Sequence, residues 1–127
     1  MNNQQKARIQ TAIDSDCVIA LSYIDVGYVD EIAPDHEYPM CIIGKLMHDM
    51  GVSNESLAAH GSRGITSSLM APIVRDLGRE YGLNRDQLLQ LQKANDYGSG
   101  SLPHNIAKRR SRVSLTLGTF LIEEDDE

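Results

Sequence analysis

The segment between Pro39 and Gly51 constrains the fold more than any other part of this 127-residue chain. Apolar side chains recur there with the spacing of one helix face. Proline is favoured in the first turn of a helix, and a glycine just past the last turn ends one in the left-handed conformation. The segment therefore predicts a well-buried helix. Its apolar stripe consists of Met40, Ile43, Met47 and Met50, widened by Ile42 and Leu46.

Further helices are predicted by the same spacing and by the polar or glycine residues at their ends. The clearest start is Asn84, because Gln87 three residues later can complete a capping box with it. Pro72 leaves two alternative starts for the helix that ends at Tyr81, since proline is tolerated only in the first turn. These helices cover residues 3–13, 53–60, 67–81 or 72–81, 84–97 and 103–112, with Ile9, Ile13, Leu69, Ile73, Leu77, Tyr81, Leu88 and Leu91 facing inward.

Two apolar runs are ambiguous between helix and strand. Residues 17–23 are too few for periodicity to decide, and Val18 and Ile19 favour a strand. Residues 112–122 alternate as a strand does, yet they also continue a helical stripe, and Gly118 argues against one long helix. If both runs are strands, they would pair into a small sheet. The residues of the alternative helical stripe are Ile106, Val113, Leu117, Phe120 and Leu121.

Length and pattern together predict a mostly α fold of about five short helices, with a minor β element as an alternative (α+β). The length suits one domain, which we place at residues 1–122. Aromatic residues make up 5% of the chain and tryptophan is absent, so the core must be aliphatic. Residues 123–127 are all acidic and are predicted to form a disordered tail.

Charge is unevenly distributed along the sequence. Seven acids and no lysine or arginine lie between Arg8 and Lys45, whereas ten bases and six acids lie from Lys45 to Arg112. No stretch of 18 apolar residues is present, and the N-terminus leads into no apolar signal region. We therefore expect a cytoplasmic protein that does not bind membranes. Its two cysteines should be reduced, since they lack the spacing of a disulfide framework or a metal pair.

Cys41 is the candidate nucleophile. It falls in the first turn of the predicted central helix, where backbone N–H groups and the helix dipole lower a thiol pKa. A histidine would then serve as the base, the candidates being His36, His48 and His60. The favoured alternative is that Cys41 is a small buried apolar residue. Gly44, in the same helix, predicts close approach of another backbone or of a ligand.

An acidic loop is the candidate partner-binding surface. It contains Asp30, Glu31, Asp35 and Glu37, with His36 between the last two. The spacing matches neither a calcium loop nor a zinc site, so we expect no metal and no cofactor. A run of acids without bases produces a coherent negative field, which would attract a basic surface of another protein.

Nucleic-acid binding is disfavoured by the sequence. Residues 53–69 resemble a helix-turn-helix unit, but the spacing before the turn glycine is one residue short and the segment is not basic. The one basic patch is formed by Lys108, Arg109, Arg110 and Arg112.

Two polar residues, Asn95 and Asp96, end an otherwise apolar helix. A side chain turned inward at this position would require a hydrogen-bond partner. The N–H groups of the helix turn that begins at Cys41 are suitable, and a bound ligand is the alternative.

One set of motifs resembles a group of small uncharacterised proteins of bacteriophages and actinobacteria. Those proteins carry a Cys-aliphatic-aliphatic-Gly helix and a later Asn-Asp or Gln-Asp followed by glycine. The matching residues here lie between Pro39 and Ala107 and are Cys41-Ile42-Ile43-Gly44, Leu46, Gly51-Val52, Leu91-Gln92, Asn95-Asp96 and Gly98. The tryptophan of that group is absent. The resemblance implies a helical fold and a phage or prophage setting, and it assigns no activity.

Three functions remain open on the sequence. The leading one is a non-enzymatic adaptor, phage-derived, that occupies a host protein or a small ligand, as inhibitors of defence systems do. The second is a hydrolase or transferase with Cys41 as nucleophile. The third is nucleic-acid binding through the basic patch. Homo-oligomer formation is compatible with each of them.

Overall fold

The computed structural model describes residues 1–27, 29–61, 63–96 and 103–122. The predicted acidic tail and the helix end predicted at Gly98 lie outside these ranges. Within them the chain is mostly α, as predicted, and has no sheet. The elements are α1 (Asn3–Ile13), α2 (Ile42–Asp49), α3 (Asn54–Ala59), a 3-10 turn (Ser68–Met70), α4 (Ala71–Tyr81), α5 (Arg85–Asp96) and α6 (Pro103–Gly118).

Local capping sets most helix starts where the sequence places them. The Asn84 side chain accepts from the N–H of Gln87 at 2.8 Å, and the Gln87 side chain accepts from the N–H of Asn84 at 2.9 Å. Ser53 caps α3 by accepting from the N–H of Ser56 at 3.1 Å. Helix α2 begins later than predicted, at Ile42, because Pro39 and Met40 are held in extended pairing with residues 17–25.

The start of α4 combines the two alternatives predicted for this helix, which begin at residue 67 or at residue 72. A 3-10 turn occupies Ser68–Met70, and Pro72 then lies in the first turn of α4. A 3-10 turn has about three residues per turn, so it changes the phase of the apolar face. Met70 is consequently buried and Leu69, predicted to face inward, is 61% exposed. The prediction for Leu69 is therefore wrong.

The strand pairing that the sequence leaves open does not form in the described residues. Residues 17–23 belong to an irregular segment, residues 14–25, that has one isolated parallel bridge between Val18 and Met40. Of the other candidate strand, residues 112–122, the part up to Gly118 belongs to α6. Gly118 ends that helix instead of interrupting it. Along the predicted helical stripe Val113, Leu117 and Phe120 are buried, whereas Leu121, beyond the helix, is 79% exposed.

Helix α2 lies at the centre of the core. It contacts α1, α3, α4 and α5, and α6 packs against α5 and α1. Most α2 side chains are fully buried, including Ile42, Ile43, Leu46 and Met47. The stripe that the sequence assigns to the best-buried helix is therefore the centre of the aliphatic core.

Gly44 allows the backbone of Tyr23 to lie directly against α2. A Cβ added at Gly44 would be 2.6 Å from the carbonyl carbon of Tyr23 and 2.7 Å from its Cα, and nearer still to its carbonyl oxygen. These atoms are backbone and cannot rotate away. The close approach expected at Gly44 is therefore that of another chain segment.

Replacing Gly44 with alanine should lower the free energy of unfolding by at least about 2 kcal/mol, because α2 or residues 22–24 must move. Gly118→Ala is the matched control. No atom lies within 4 Å of its added Cβ, and alanine favours helix by up to about 1 kcal/mol. Urea unfolding followed by circular dichroism measures both variants. Equal stability of the two would contradict the close contact.

Candidate functional site

The N-terminus of α2 is closed by side chains of this chain. Cys41 is the N-cap residue, and its Sγ accepts from the N–H of Gly44 at 3.3 Å. The N–H of Ile42 donates to Oδ1 of Asn95 at 3.1 Å. Two of the N–H groups that a helix leaves without backbone partners are thereby used inside the protein.

Asn95 joins three parts of the structure. While its Oδ1 accepts from α2, its Nδ2 donates to the carbonyl oxygen of Ala20 at 3.2 Å and to Oδ1 of Asp96 at 3.2 Å. The Asn95 residue is 1% exposed. The inward orientation considered for Asn95 is confirmed, and its partner is the helix start at Cys41.

The thiol of Cys41 is poorly suited to nucleophilic attack. The Cys41 residue is 1% exposed, and burial raises the pKa of its thiol to about 12. The hydrogen bond from Gly44 acts in the opposite direction but is outweighed. The favoured interpretation of Cys41 as a small buried residue is confirmed, and the lowered pKa that a nucleophile would need is not found. An apolar surrounding disfavours the thiolate more than the helix terminus favours it. Within the described residues, no hydrogen bond connects a histidine to Cys41.

Two other ionisable groups near Cys41 are shifted in the same direction. Burial raises the pKa of the Tyr23 hydroxyl to about 12, and the neighbouring Cys41 and Asp96 add to the shift. Partial burial also raises the pKa of Asp96, against the hydrogen bond from Asn95 and the charge of Arg109. At this end of α5, burial therefore disfavours the anionic forms of Tyr23, Cys41 and Asp96.

The basic patch is divided by the fold. Arg109 is 3% exposed and donates through Nη1 to the carbonyl oxygen of Ile19 at 3.1 Å. Arg110 donates through Nη2 to the carbonyl oxygen of Ser15 at 2.9 Å. Lys108 is exposed and Arg112 is half-buried. Two of the four bases thus attach α6 to the irregular segment after α1.

The sequence carries a signal for the role of Arg109 that the charge pattern obscured. Arg109 lies four residues before Val113 and eight before Leu117, so it shares their inward stripe. An arginine on such a stripe can bury its aliphatic stem and extend its guanidinium group toward polar partners. The irregular segment at residues 15–19 supplies those groups.

The acidic loop is exposed, and hydrogen bonds from Asn54 hold its backbone. Asp30, Glu31, Asp35 and Glu37 are all exposed. Asn54, the first residue of α3, is 1% exposed, and its Nδ2 donates to three loop carbonyl oxygens. These belong to Ala33 at 2.9 Å, His36 at 2.9 Å and Pro34 at 3.3 Å.

A second contact fixes the same loop. The hydroxyl of Tyr38 accepts from the N–H of Ala33 at 3.0 Å, and the rings of His36 and Tyr38 pack edge to face. The sequence does not predict this role of Asn54, because an asparagine after Ser53 looks like a second polar residue at a helix start. No local pattern indicates that its amide reaches about 20 residues back along the chain.

A cleft of about 400 Å³ lies between the acidic loop and α2. Burial raises the pKa of the Cys17 thiol in its wall to about 11, and the nearby Glu37 adds to the shift. Lys45 pairs with Asp49 at 3.1 Å beside it. The polar side chains of the cleft are Cys17, Asp35, His36, Glu37, Lys45 and His48.

Neither a metal cluster nor a bilayer-spanning helix is found in the part of the chain that the structure describes. Its histidine, cysteine and acidic side chains form no group of three placed to hold a metal ion. None of its helices combines the length and the apolar character needed to cross a membrane.

Comparison with known proteins returns no relative. No family model, no curated protein and no solved structure matches the chain.

Replacing Asn95 with alanine should lower the free energy of unfolding by about 2 to 4 kcal/mol, because the Ile42 N–H and the Ala20 carbonyl lose buried partners. Asn84→Ala is the control. It removes an asparagine that caps a helix at the surface and should cost about 1 kcal/mol. Urea unfolding compares the two variants. If Asn95→Ala costs no more than Asn84→Ala, the bridging role of Asn95 is wrong.

Cys41 should react slowly with iodoacetamide at neutral pH. In a Cys17→Ala background, where Cys41 is the one remaining thiol, labelling of the folded protein should be at least about 100-fold slower than in urea. A raised pKa lowers the thiolate fraction at pH 7, and burial also blocks the reagent. Mass spectrometry follows the reaction. A labelling rate in the folded protein equal to or above the rate in urea would instead support Cys41 as a nucleophile.

Proposed function

We propose that this chain is a non-enzymatic binding protein whose acidic loop, residues 30–37, docks on a basic surface of another protein. The observation that carries this proposal is the anchoring of the loop by Asn54 beneath four exposed carboxylates. Within the described residues, none of these four carboxylates forms an ion pair with a lysine, arginine or histidine. The loop therefore presents negative charge without an ion pair, and Lys45 acts on Glu37 from beyond ion-pair distance.

The fixed conformation of the loop favours binding. A loop that is already ordered loses less conformational entropy when a partner docks, so more of the interaction energy appears as affinity. Charge complementarity additionally speeds the encounter and selects against acidic partners. Both effects require the carboxylates to be exposed and the backbone beneath them to be held, as Asn54 and Tyr38 hold it.

The other two functions have less support. A Cys41 enzyme needs an accessible thiolate, and the Cys41 thiol is buried with a raised pKa. Nucleic-acid binding through α6 needs side chains that can reach phosphates, and Arg109 and Arg110 bond backbone carbonyl oxygens. The resemblance to bacteriophage proteins supports a bacterial host protein as the partner, for example a defence or regulatory factor.

Neutralising the loop should weaken partner binding at least about tenfold, since several complementary charges are lost together. The variant carries Asp30→Asn, Glu31→Gln, Asp35→Asn and Glu37→Gln. The control neutralises the same number of exposed acids elsewhere, at Asp14, Asp16, Asp76 and Asp86. Affinity for the protein that the wild-type chain captures from bacterial lysate is measured by biolayer interferometry at two salt concentrations.

A third variant, Asn54→Ala, separates charge from conformation. It keeps all four carboxylates but removes the hydrogen bonds that hold the loop, so it should bind more weakly with a lower association rate. Circular dichroism verifies that each variant is folded. If the loop variant binds as tightly as the control variant, the loop is not the docking surface.

A further inference from the structure

The cleft between the acidic loop and α2 places part of the loop charge in a concave region of the surface. Asp35 and Glu37 line the cleft, whereas Asp30 and Glu31 belong to the same loop but do not line it. Neither of the two lining carboxylates forms an ion pair with a described residue. A partner that docks on the loop therefore meets two of the four carboxylates at a cavity.

The carboxylate of Glu37 lies over the cleft. It is close enough to the Cys17 thiol, which is buried in the cleft wall, to raise the pKa of that thiol. A thiol is a weak hydrogen-bond donor, and an ionised carboxylate has about four acceptor sites. The Glu37 carboxylate therefore retains acceptor sites for a cationic ligand in the cleft.

Lys45 supplies the one ammonium group among the lining residues, and it is already paired. Its Nζ lies 3.1 Å from Oδ1 of Asp49, and it acts on Glu37 only from beyond ion-pair distance. With the histidines of the cleft uncharged, as at about pH 8, the carboxylates of Asp35, Glu37 and Asp49 outnumber this single cation. The net field in the cleft is negative and favours a positively charged ligand.

The other lining groups match the stem and the flat head of an arginine side chain. Pro34 and Met40 supply apolar atoms against which methylene groups pack. His36 supplies an aromatic ring that is held edge to face against Tyr38. A guanidinium group stacks on aromatic rings and bonds a carboxylate through two parallel N–H groups, whereas an ammonium group does neither as well. The cleft volume of about 400 Å³ is at the small end for ligand sites and suits one side chain.

We propose that this cleft binds an arginine side chain of the protein on which the acidic loop docks. The guanidinium group bonds the Glu37 carboxylate and lies against the His36 ring, while its methylene groups pack on Pro34. Arginine is one of the residue types that contribute most to binding when they fill a pocket at an interface. The inference rests on the proposed function, because a protein partner supplies the arginine.

An amide NMR titration of the full chain with Nα-acetyl-arginine amide tests the cleft without a partner. Signals of residues 35–37 and 45–48, which border the cleft, should shift to saturation. The dissociation constant should be millimolar, as expected for a ligand of about 15 non-hydrogen atoms. Nα-acetyl-citrulline amide keeps the shape without the charge, and Nα-acetyl-lysine amide keeps the charge without the planar fork. Each should bind at least about fivefold more weakly.

Two loop variants locate the binding. Glu37→Gln should weaken binding of the arginine amide at least about fivefold, because it removes the paired carboxylate. Glu31→Gln is the matched control, since it makes the same change in the same loop outside the cleft and should bind as the wild type does. Lys45→Gln should bind more tightly, because it removes the competing ammonium group. Absence of saturable shifts, equal binding of a comparison compound, or equal affinity of the two glutamate variants overturns the proposal.

Failure of this inference is distinguishable from failure of the proposed function. If the arginine amide does not bind and the four-carboxylate variant still loses its partner, the loop docks without an arginine in the cleft, and only the present inference is wrong. If the arginine amide binds and the four-carboxylate variant keeps its partner, the docking surface is wrong, and with it the assignment of the arginine to that partner.

Discussion

The side-chain amide of Asn95 is the contact on which the arrangement of this protein depends. It closes the N-terminus of the central helix α2 and also satisfies a carbonyl in the irregular segment that crosses that helix. A buried N–H and a buried C=O without partners would each cost about 1 to 3 kcal/mol. One asparagine therefore lets a segment without regular structure lie inside the core. Gly44 makes the same crossing sterically feasible, because it has no Cβ to meet the backbone of Tyr23.

The irregular segment is held by backbone hydrogen bonds to residues 39–41 and by side chains from two helices. Arg109 and Arg110 bond its carbonyl groups from α6, and Asn95 bonds it from α5. A strand would instead have satisfied these groups through a neighbouring strand. Two of the four side chains of the basic patch, Arg109 and Arg110, therefore make structural contacts. In the acidic loop, by contrast, Asn54 bonds only backbone carbonyl groups. The carboxylates of the loop therefore stay exposed for a partner.

The acidic loop keeps its charged side chains at the surface, whereas two arginines of α6 bond backbone groups inside the protein. The acidic loop combines charge with a fixed backbone, so it suits a basic protein surface.

The sequence by itself determined the features that depend on neighbouring residues. Caps at Ser53 and Asn84, the apolar stripe of α2 and the mostly helical class follow from interactions within about one helix turn. Tertiary structure decided the rest. Residues 17–23 favour a strand locally but form only one isolated bridge, because their backbone partners at Met40 and Cys41 lie directly before α2. Side chains of α5 and α6 bond the carbonyl oxygens of Ala20 and Ile19. The pKa of Cys41 rises for the same reason, because burial by distant helices outweighs the helix terminus on which Cys41 lies.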